Sequence, residues 1–138
     1  MNKQDLREKY HALRQEIPLL DLDNLSLKIA NQCLKLNIWD KQFYHLFLSI
    51  QNKKEINTEY ILHIIFGNDA QVVVPKINGK QLEHFLLTDS TKLQLNKWNI
   101  PEPVDGIPIP AESLDVVFIP LLAFDKNGNR VGYGMGFY

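Results

Sequence analysis

Leu6, Tyr10, Leu13 and Ile17 are spaced by four, three and four, the interval that places apolar side chains on one face of an α-helix. Asn2 is a fitting N-cap, so a first helix is expected over residues 3–16. Leu25, Ile29 and Cys33, helped by Leu36, give a second helical face over residues 24–36. Residues 43–50 are apolar at nearly every position, interrupted only by His45 and Ser49. Such continuity predicts a central strand covered on both sides. A polar loop over 51–55 follows. Asn57 or Thr58 can then cap a short helix to about residue 66, ended by Gly67-Asn68. Val72, Val73 and Val74 predict a strand closed by Pro75, and residues 82–88 another. Four prolines between 98 and 110 predict an extended, irregular loop. Residues 114–119 form a further buried strand, and Asn127-Gly128 a tight turn. Helix and strand alternate throughout, which predicts an α/β fold with a mostly parallel sheet. There is no internal repeat and no interior linker, so residues 1–138 are expected to make a single domain.

A length of 138 residues suits one domain with a sizeable core. Fifteen basic and sixteen acidic residues leave a net charge of −1. That balance argues against nucleic acid and against an anionic membrane surface, which call for a basic excess. Any anion site must come from local placement of charge. The longest apolar run, residues 116–124, is nine residues long and contains Pro120, whereas a spanning helix needs about 20. The N-terminus lacks an apolar signal-peptide core. Cys33 is the single cysteine, so the expected compartment is the reducing cytoplasm. Its place on the second helix's apolar face makes it a small core residue, not a nucleophile.

Three glycines alternate with side chains in Gly132-Tyr133-Gly134-Met135-Gly136, after Arg130-Val131 and before Phe137-Tyr138. Such spacing lets backbone N–H groups approach a bulky anion. It fits neither the phosphate-loop pattern ending in Gly-Lys-Ser/Thr nor an early dinucleotide fingerprint. Tight turns use alternating glycines too. Arg130 favours the anion reading, because a guanidinium pairs bidentately with phosphate. Lys3, Arg7 and Arg14 make a stripe beside the first helix's apolar face. It is either a solvated face or the rim of an anion-binding cleft. His11, His45, His63 and His84 show no metal-ligand spacing and are expected to be structural or surface residues. Glu55 and Lys76 both follow strands, where open α/β sheets bind ligands, though both could equally be loop charges. Trp98 either stacks on a flat heterocycle or covers the core.

Together these segments resemble the 5-formyltetrahydrofolate cyclo-ligase (methenyltetrahydrofolate synthetase) family. The resemblance rests on Trp98-Asn99-Ile100-Pro101-Glu102-Pro103, on Leu114-Asp115-Val116-Val117-Phe118-Ile119-Pro120, and on Ala123-Phe124-Asp125-Lys126-Asn127-Gly128-Asn129-Arg130 running into the glycine loop. Lys3-x-x-Leu6-Arg7, the stretch from Phe47-Leu48-Ser49 to Glu55-Ile56-Asn57-Thr58, and Val74-Pro75-Lys76 support it. It spans nearly the whole chain. It implies a three-layer α/β/α fold of the NagB, ribose-phosphate isomerase and CoA-transferase type. It also implies ATP-driven closure of 5-formyltetrahydrofolate to 5,10-methenyltetrahydrofolate with Mg²⁺, in the cytoplasm. By position, Lys3, Arg7 and Arg130, Val131, Gly132, Tyr133, Gly134, Met135, Gly136, Phe137 and Tyr138 would bind ATP. Leu48, Glu55 and Gly132 to Phe137 would bind the folate. Trp98 is added as a ring-stacking candidate. No catalytic side chain is assigned, since positioning and electrostatics dominate phosphoryl transfer.

Two departures qualify the resemblance. Met135 stands where many relatives carry Lys, so Lys76 or a segment outside this sequence is expected to supply that charge. The family motif continues past Tyr138 into Asp-Arg, and that Asp is a Mg²⁺ ligand, so no metal ligand is assigned within this chain. The expectation is a domain lacking the family's C-terminal strand and helix, weak or inactive in catalysis. The resemblance implies a monomer for the family, and an exposed edge would open this form to dimeric or swapped packing. The alternatives are a non-catalytic folate- or nucleotide-binding relative and a sugar-phosphate isomerase on the same fold.

Overall fold

The computed structural model describes residues 2–133. Helix α1 (Lys3–Gln15) begins as the sequence predicts, with Asn2 Oδ1 accepting from Asp5 N at 2.8 Å. Helix α2 (Leu19–Cys33) starts after Pro18, five residues before the expected 24. Strand β1 (Phe43–His45) leads through an extended segment and a 3₁₀ turn (Gln51–Lys53) to α3 (Glu59–Gly67). Strands β2 (Gln71–Asn78) and β3 (Gln81–Leu87) form a hairpin, and β4 (Leu93–Leu95) pairs with β5 (Pro101–Pro103). Strand β6 (Val116–Val117) is followed by a hairpin of β7 (Ala123–Phe124) and β8 (Arg130–Val131). No helix among the described residues is long and apolar enough to cross a membrane.

The central sheet has the order β3-β2-β1-β6. Strand β1 runs parallel to β2 and to β6, with Tyr44 opposite Val72 and Val116. Strand β3 is an antiparallel edge. Side-chain alternation divides the sheet into two faces. Tyr44, Leu46, Val72 and Val74 face Ala30 of α2 and Ile61 and Ile65 of α3, and this is the main core. Burying each such side chain contributes roughly 1.5–3 kcal/mol. His45 and Val73 point to the other face, toward which β5 packs.

Several expectations change, and the strand expected over 43–50 is regular only at Phe43–His45. The strand at 72–74 does not close at Pro75 but continues to Asn78. Pro75 is paired with His84, whose carbonyl accepts from Ile109 on the outer side. That pair therefore exchanges no bonds within the hairpin, and the missing N–H costs the ladder nothing. The turn between the strands holds Gly79 at φ +65°, a value only glycine adopts freely. The expected loop over 98–110 contains β5, and the strand expected over 114–119 shrinks to β6, where Val117 is exposed. On α2 the buried residues are Ser26 and Ala30, while Leu25 and Ile29 are exposed. Ser26 Oγ donates to Leu22 O and accepts from Asn57 N, both at 2.8 Å. Small side chains let the helix sit close to the segment entering α3, which turns the larger ones outward. Cys33 is half-buried against the core, and burial pushes its thiol up, as suits a packing residue.

Candidate functional site at the α1 and glycine-loop cleft

A cleft of about 510 Å³ opens where the C-terminal ends of the parallel strands meet α1, within the size range of small-molecule sites. Its lining divides by chemistry. Lys3, Arg7, Lys53 and Arg130 bring positive charge. Trp98, Ile100, Ile77, Leu82, Pro75 and Phe47 make an apolar wall. Glu55 and Glu102 are the acids among the described lining residues. A chain of net charge −1 thus gathers cations at one place.

The capped start of α1 fixes the rotation of its basic stripe. Helical residues four and seven apart share a face; of the stripe, Lys3 and Arg7 line the cleft, while Arg14 packs behind it. Arg7 Nε donates to Gly132 O at 3.1 Å. Arg14 Nη1 donates to Tyr133 Oη at 2.5 Å, and Arg14 Nη2 to Leu121 O at 3.0 Å. Gln15 Nε2 donates to Asn52 O at 3.1 Å, and Lys54 Nζ donates to Ile17 O. Helix α1 is thereby tied both to the start of the glycine loop and to the 3₁₀ turn.

Glu55 owes its place to that turn. Lys54 sits at φ +51°, in the left-handed region, so the chain folds back on itself. Glu55 Oε1 then accepts from Ile50 N at 3.0 Å, and Oε2 accepts from Tyr133 Oη at 2.8 Å. The loop is braced by Thr58 Oγ1, which donates to Phe47 O at 2.9 Å, and by Ser49 Oγ, which accepts from Thr58 N at 3.1 Å. Glu55 is 6 % exposed. Burial pushes its carboxyl above the ordinary range, opposed by the Tyr133 and Ile50 hydrogen bonds and by Arg14 and Lys53. Burial also raises the Tyr133 hydroxyl, reinforced by Glu55. His11 is lowered by burial and by Lys53 and Arg14, so it stands neutral beside the Tyr133 ring, 5.7 Å away.

The apolar wall is built by two devices. Asn96 Oδ1 accepts from Trp98 N at 2.8 Å and Ile100 N at 3.1 Å, closing a turn with Asn99 at φ +62°. Glu102 Oε2 accepts from Ile77 N at 2.6 Å, pinning the segment to β2. Trp98, 37 % exposed, stands at the rim. Leu48 lines the cleft from the extended segment that follows β1.

Of the residues singled out from sequence, Lys3, Arg7, Leu48, Glu55, Trp98, Arg130, Gly132 and Tyr133 line this one cleft. Val131 is in β8, where its carbonyl accepts from Leu122 N, and it is not among the lining residues. Lys76 turns elsewhere. Its Nζ donates to Val104 O at 2.9 Å and lies 5.9 Å from the Phe85 ring centroid. Gly134, Met135, Gly136, Phe137 and Tyr138 lie outside the described residues. Lys53 and Glu102 also line the cleft, and the sequence does not single them out for it. Glu102 lies within the proline-rich segment that carries the resemblance, but nothing in the local sequence marks Lys53. Among the described residues, no group of three or more His, Cys, Asp or Glu is gathered as a metal site would require.

Residues 1–138 match the model of the 5-formyltetrahydrofolate cyclo-ligase family. A 5-formyltetrahydrofolate cyclo-ligase of Haemophilus influenzae is 28 % identical over 142 residues, covering 99 % of this chain and 75 % of that protein. One of Mus musculus is 30 % identical over 144 residues, covering 97 % and 68 %. The structure of a 5,10-methenyltetrahydrofolate synthetase from Aquifex aeolicus superposes with a TM-score of 0.83 at 25 % identity, covering all of this chain and 70 % of the other. One from Mycoplasma pneumoniae superposes with a TM-score of 0.77 at 19 % identity, covering all of this chain and 75 % of the other.

Proposed function

The chain belongs to the 5-formyltetrahydrofolate cyclo-ligase family, and we propose that it closes the ring of 5-formyltetrahydrofolate to 5,10-methenyltetrahydrofolate at the expense of ATP. The formyl oxygen attacks the γ-phosphorus, the bond to the β–γ bridging oxygen breaks, and ADP leaves. N10 of the same folate then attacks the activated formyl carbon. The carbon–oxygen bond to phosphate breaks, phosphate departs, and the N10 proton is lost.

Charge moves between oxygens in the first step, and a protein helps it chiefly by fixed cations and backbone dipoles. Lys3, Arg7 and Arg130 supply the cations, and the start of the glycine loop at Gly132 and Tyr133 supplies backbone N–H groups. Lys53 lines the same cleft. Glu55, held by Ile50 and Tyr133, suits the N–H donors of a pterin. Leu48 and the Trp98–Ile100 wall give the ring an apolar slot, and Gly132 and Tyr133 line the same cleft. Mg²⁺ would neutralise the phosphate oxygens. The described residues do not gather a set that fits it, so none is assigned to it and no step is routed through it. The lone free thiol accords with a cytoplasmic setting.

The observation that carries this reading is the bond from Arg7 to Gly132 O, which joins the basic stripe of α1 to the glycine loop inside one cleft. The test is spectrophotometric. Protein mixed with 5-formyltetrahydrofolate, Mg²⁺ and ATP should develop the methenyl absorbance band, and no band should form without ATP. Folate binding in calorimetry with no methenyl product under any nucleotide would instead make it a non-catalytic binding relative.

A further inference from the structure

Arg14 is the one member of the basic stripe that does not line the cleft, yet it makes the most contacts of the three. Its Nη1 donates to Tyr133 Oη at 2.5 Å, its Nη2 donates to Leu121 O at 3.0 Å, and its guanidinium carbon lies 5.8 Å from the Tyr133 ring centroid. The Tyr133 hydroxyl in turn reaches Glu55 Oε2 at 2.8 Å. Three side chains from α1, the loop after β8 and the end of the 3₁₀ turn thus make one chain of hydrogen bonds.

The direction of that chain is forced. A guanidinium has only donors, and a phenol has one proton. With Arg14 donating to its oxygen, Tyr133 must spend its proton on Glu55. Glu55 Oε2 must then be an acceptor. A proton on that oxygen would lie in the same bond as the Tyr133 proton. The opposite carboxylate oxygen accepts from Ile50 N. Both oxygens of Glu55 are therefore held as acceptors in a buried place that favours the neutral acid.

We propose that Arg14 is a positioning residue that acts through Tyr133 to hold Glu55 as an ionised acceptor, ready for the N–H donors of the folate ring. The proposal rests on the cyclo-ligase reading for the identity of the ligand, but not for the state of Glu55. Other groups face Glu55 from the elements around it. Lys53 comes from its own turn and lies 5.2 Å from the Tyr133 ring, and His11 comes from α1. Asp23 of α2 and Glu59 of α3 line a shallow hollow on its far side. Burial opposes ionisation of Glu55, and Arg14 and Lys53 support it. Lys53 makes no hydrogen bond to Glu55 or Tyr133, so it adds charge without fixing the direction of the chain.

The test has a ligand-free arm. The side-chain carboxyl of Glu55 is followed by ¹³C NMR across pH in the wild type, R14M, R14K and Y133F, with E55Q to assign the signal. The midpoint should rise by about 1 pH unit in R14M. It should rise similarly in Y133F, which cuts the link while keeping the bond from Arg14 to Leu121. R14K should recover part of the shift. Unchanged midpoints in both R14M and Y133F, with the fold intact, overturn the proposal. In the second arm, the acid limb of 5-formyltetrahydrofolate binding should move upward by the same amount in R14M and Y133F. A limb that stays in place while the carboxyl midpoint moves also overturns the link to folate. Failure of the wild type to bind 5-formyltetrahydrofolate at neutral pH rejects the cyclo-ligase reading instead, and the NMR arm still decides the role of Arg14.

Discussion

Replacing Arg7 tests the convergence of α1 and the glycine loop without touching the apolar half of the cleft. Arg7 uses Nε on Gly132 O, and its side chain lines the cleft beside Lys3 and Arg130, which leaves the terminal nitrogens for a phosphate. Met keeps the length of the stem but loses both functions. A hydrogen bond to a charged group is worth about 1.5–3 kcal/mol, so kcat/KM for ATP should fall roughly 10- to 150-fold in R7M. The part-buried bond from the charged Nε–H to Gly132 O adds roughly 1–2 kcal/mol to folding, a loss of roughly 3–10 °C in Tm. KM for 5-formyltetrahydrofolate should stay within about threefold, because the contacts of Glu55 and the Trp98 wall are untouched. R7K is the sharper control. It keeps the charge but lacks the fork, so one ammonium cannot hold the carbonyl and a phosphate as the guanidinium does. It should recover less than half of the lost free energy. Steady-state assays with each substrate varied in turn measure all of this. ATP parameters unchanged within twofold in R7M, or full recovery in R7K, would refute the reasoning.

Glu55→Gln should separate binding from stability. The folded-state value of Glu55 is raised above 4.5. Its contribution to stability is therefore fully present below the unfolded value and is lost as pH rises through the folded one. Urea midpoints of E55Q relative to wild type should improve between pH 4.5 and neutrality, while 5-formyltetrahydrofolate affinity falls at least tenfold. A parallel loss of both would contradict this. Trp98→Ala should raise KM for one substrate about 3- to 10-fold, the worth of a single ring stack, with Tm nearly constant because the ring is at the rim. Equal KM values would exclude stacking. His45 behaves oppositely to Glu55 with pH. Burial, then His84, lowers it from 6.5 to about 4, so the stability present above pH 6.5 should drain away by about 3 kcal/mol as pH falls toward 4. His45→Leu should flatten that slope in urea titrations, and a slope equal to wild type would show that other groups dominate.

The parts of this fold that sequence made legible are those where one physical signal acts alone. Asn2 had no competitor as a cap, Gly67-Asn68 had none as a stop, and the valines of β2 could hardly be anything but a buried strand. Helix α2 was misphased because it carries two apolar stripes. The larger one, with Leu25 and Ile29, lost to Ser26 and Ala30 once close approach to α3 became the deciding factor. The antiparallel edge was hidden by Pro75, which reads as a stop unless the pairing partner is known. The site shows the same division. Arg7 and Gly132 were marked by helical phase and glycine spacing. Periodicity put Arg14 on the correct stripe, but no pattern along the chain could reveal that it reaches Tyr133 and, through it, Glu55. Lys76 had the better sequence position after a strand, yet its stem lies along Phe85 and its charge is taken by Val104. Lys53 had no signal at all and came to the cleft because Lys54 bends the backbone behind it.

The most direct measurement is a titration of isotope-labelled protein with a non-hydrolysable ATP analogue, followed by ¹H–¹⁵N NMR. The backbone N–H of Gly132 and the Nε–H of Arg7 should shift together, saturating with a single dissociation constant, and the shifts should be abolished in R7M. Saturable shifts that leave both groups in place, or no saturation at millimolar analogue, would mean that the triphosphate does not bind where the helix meets the loop.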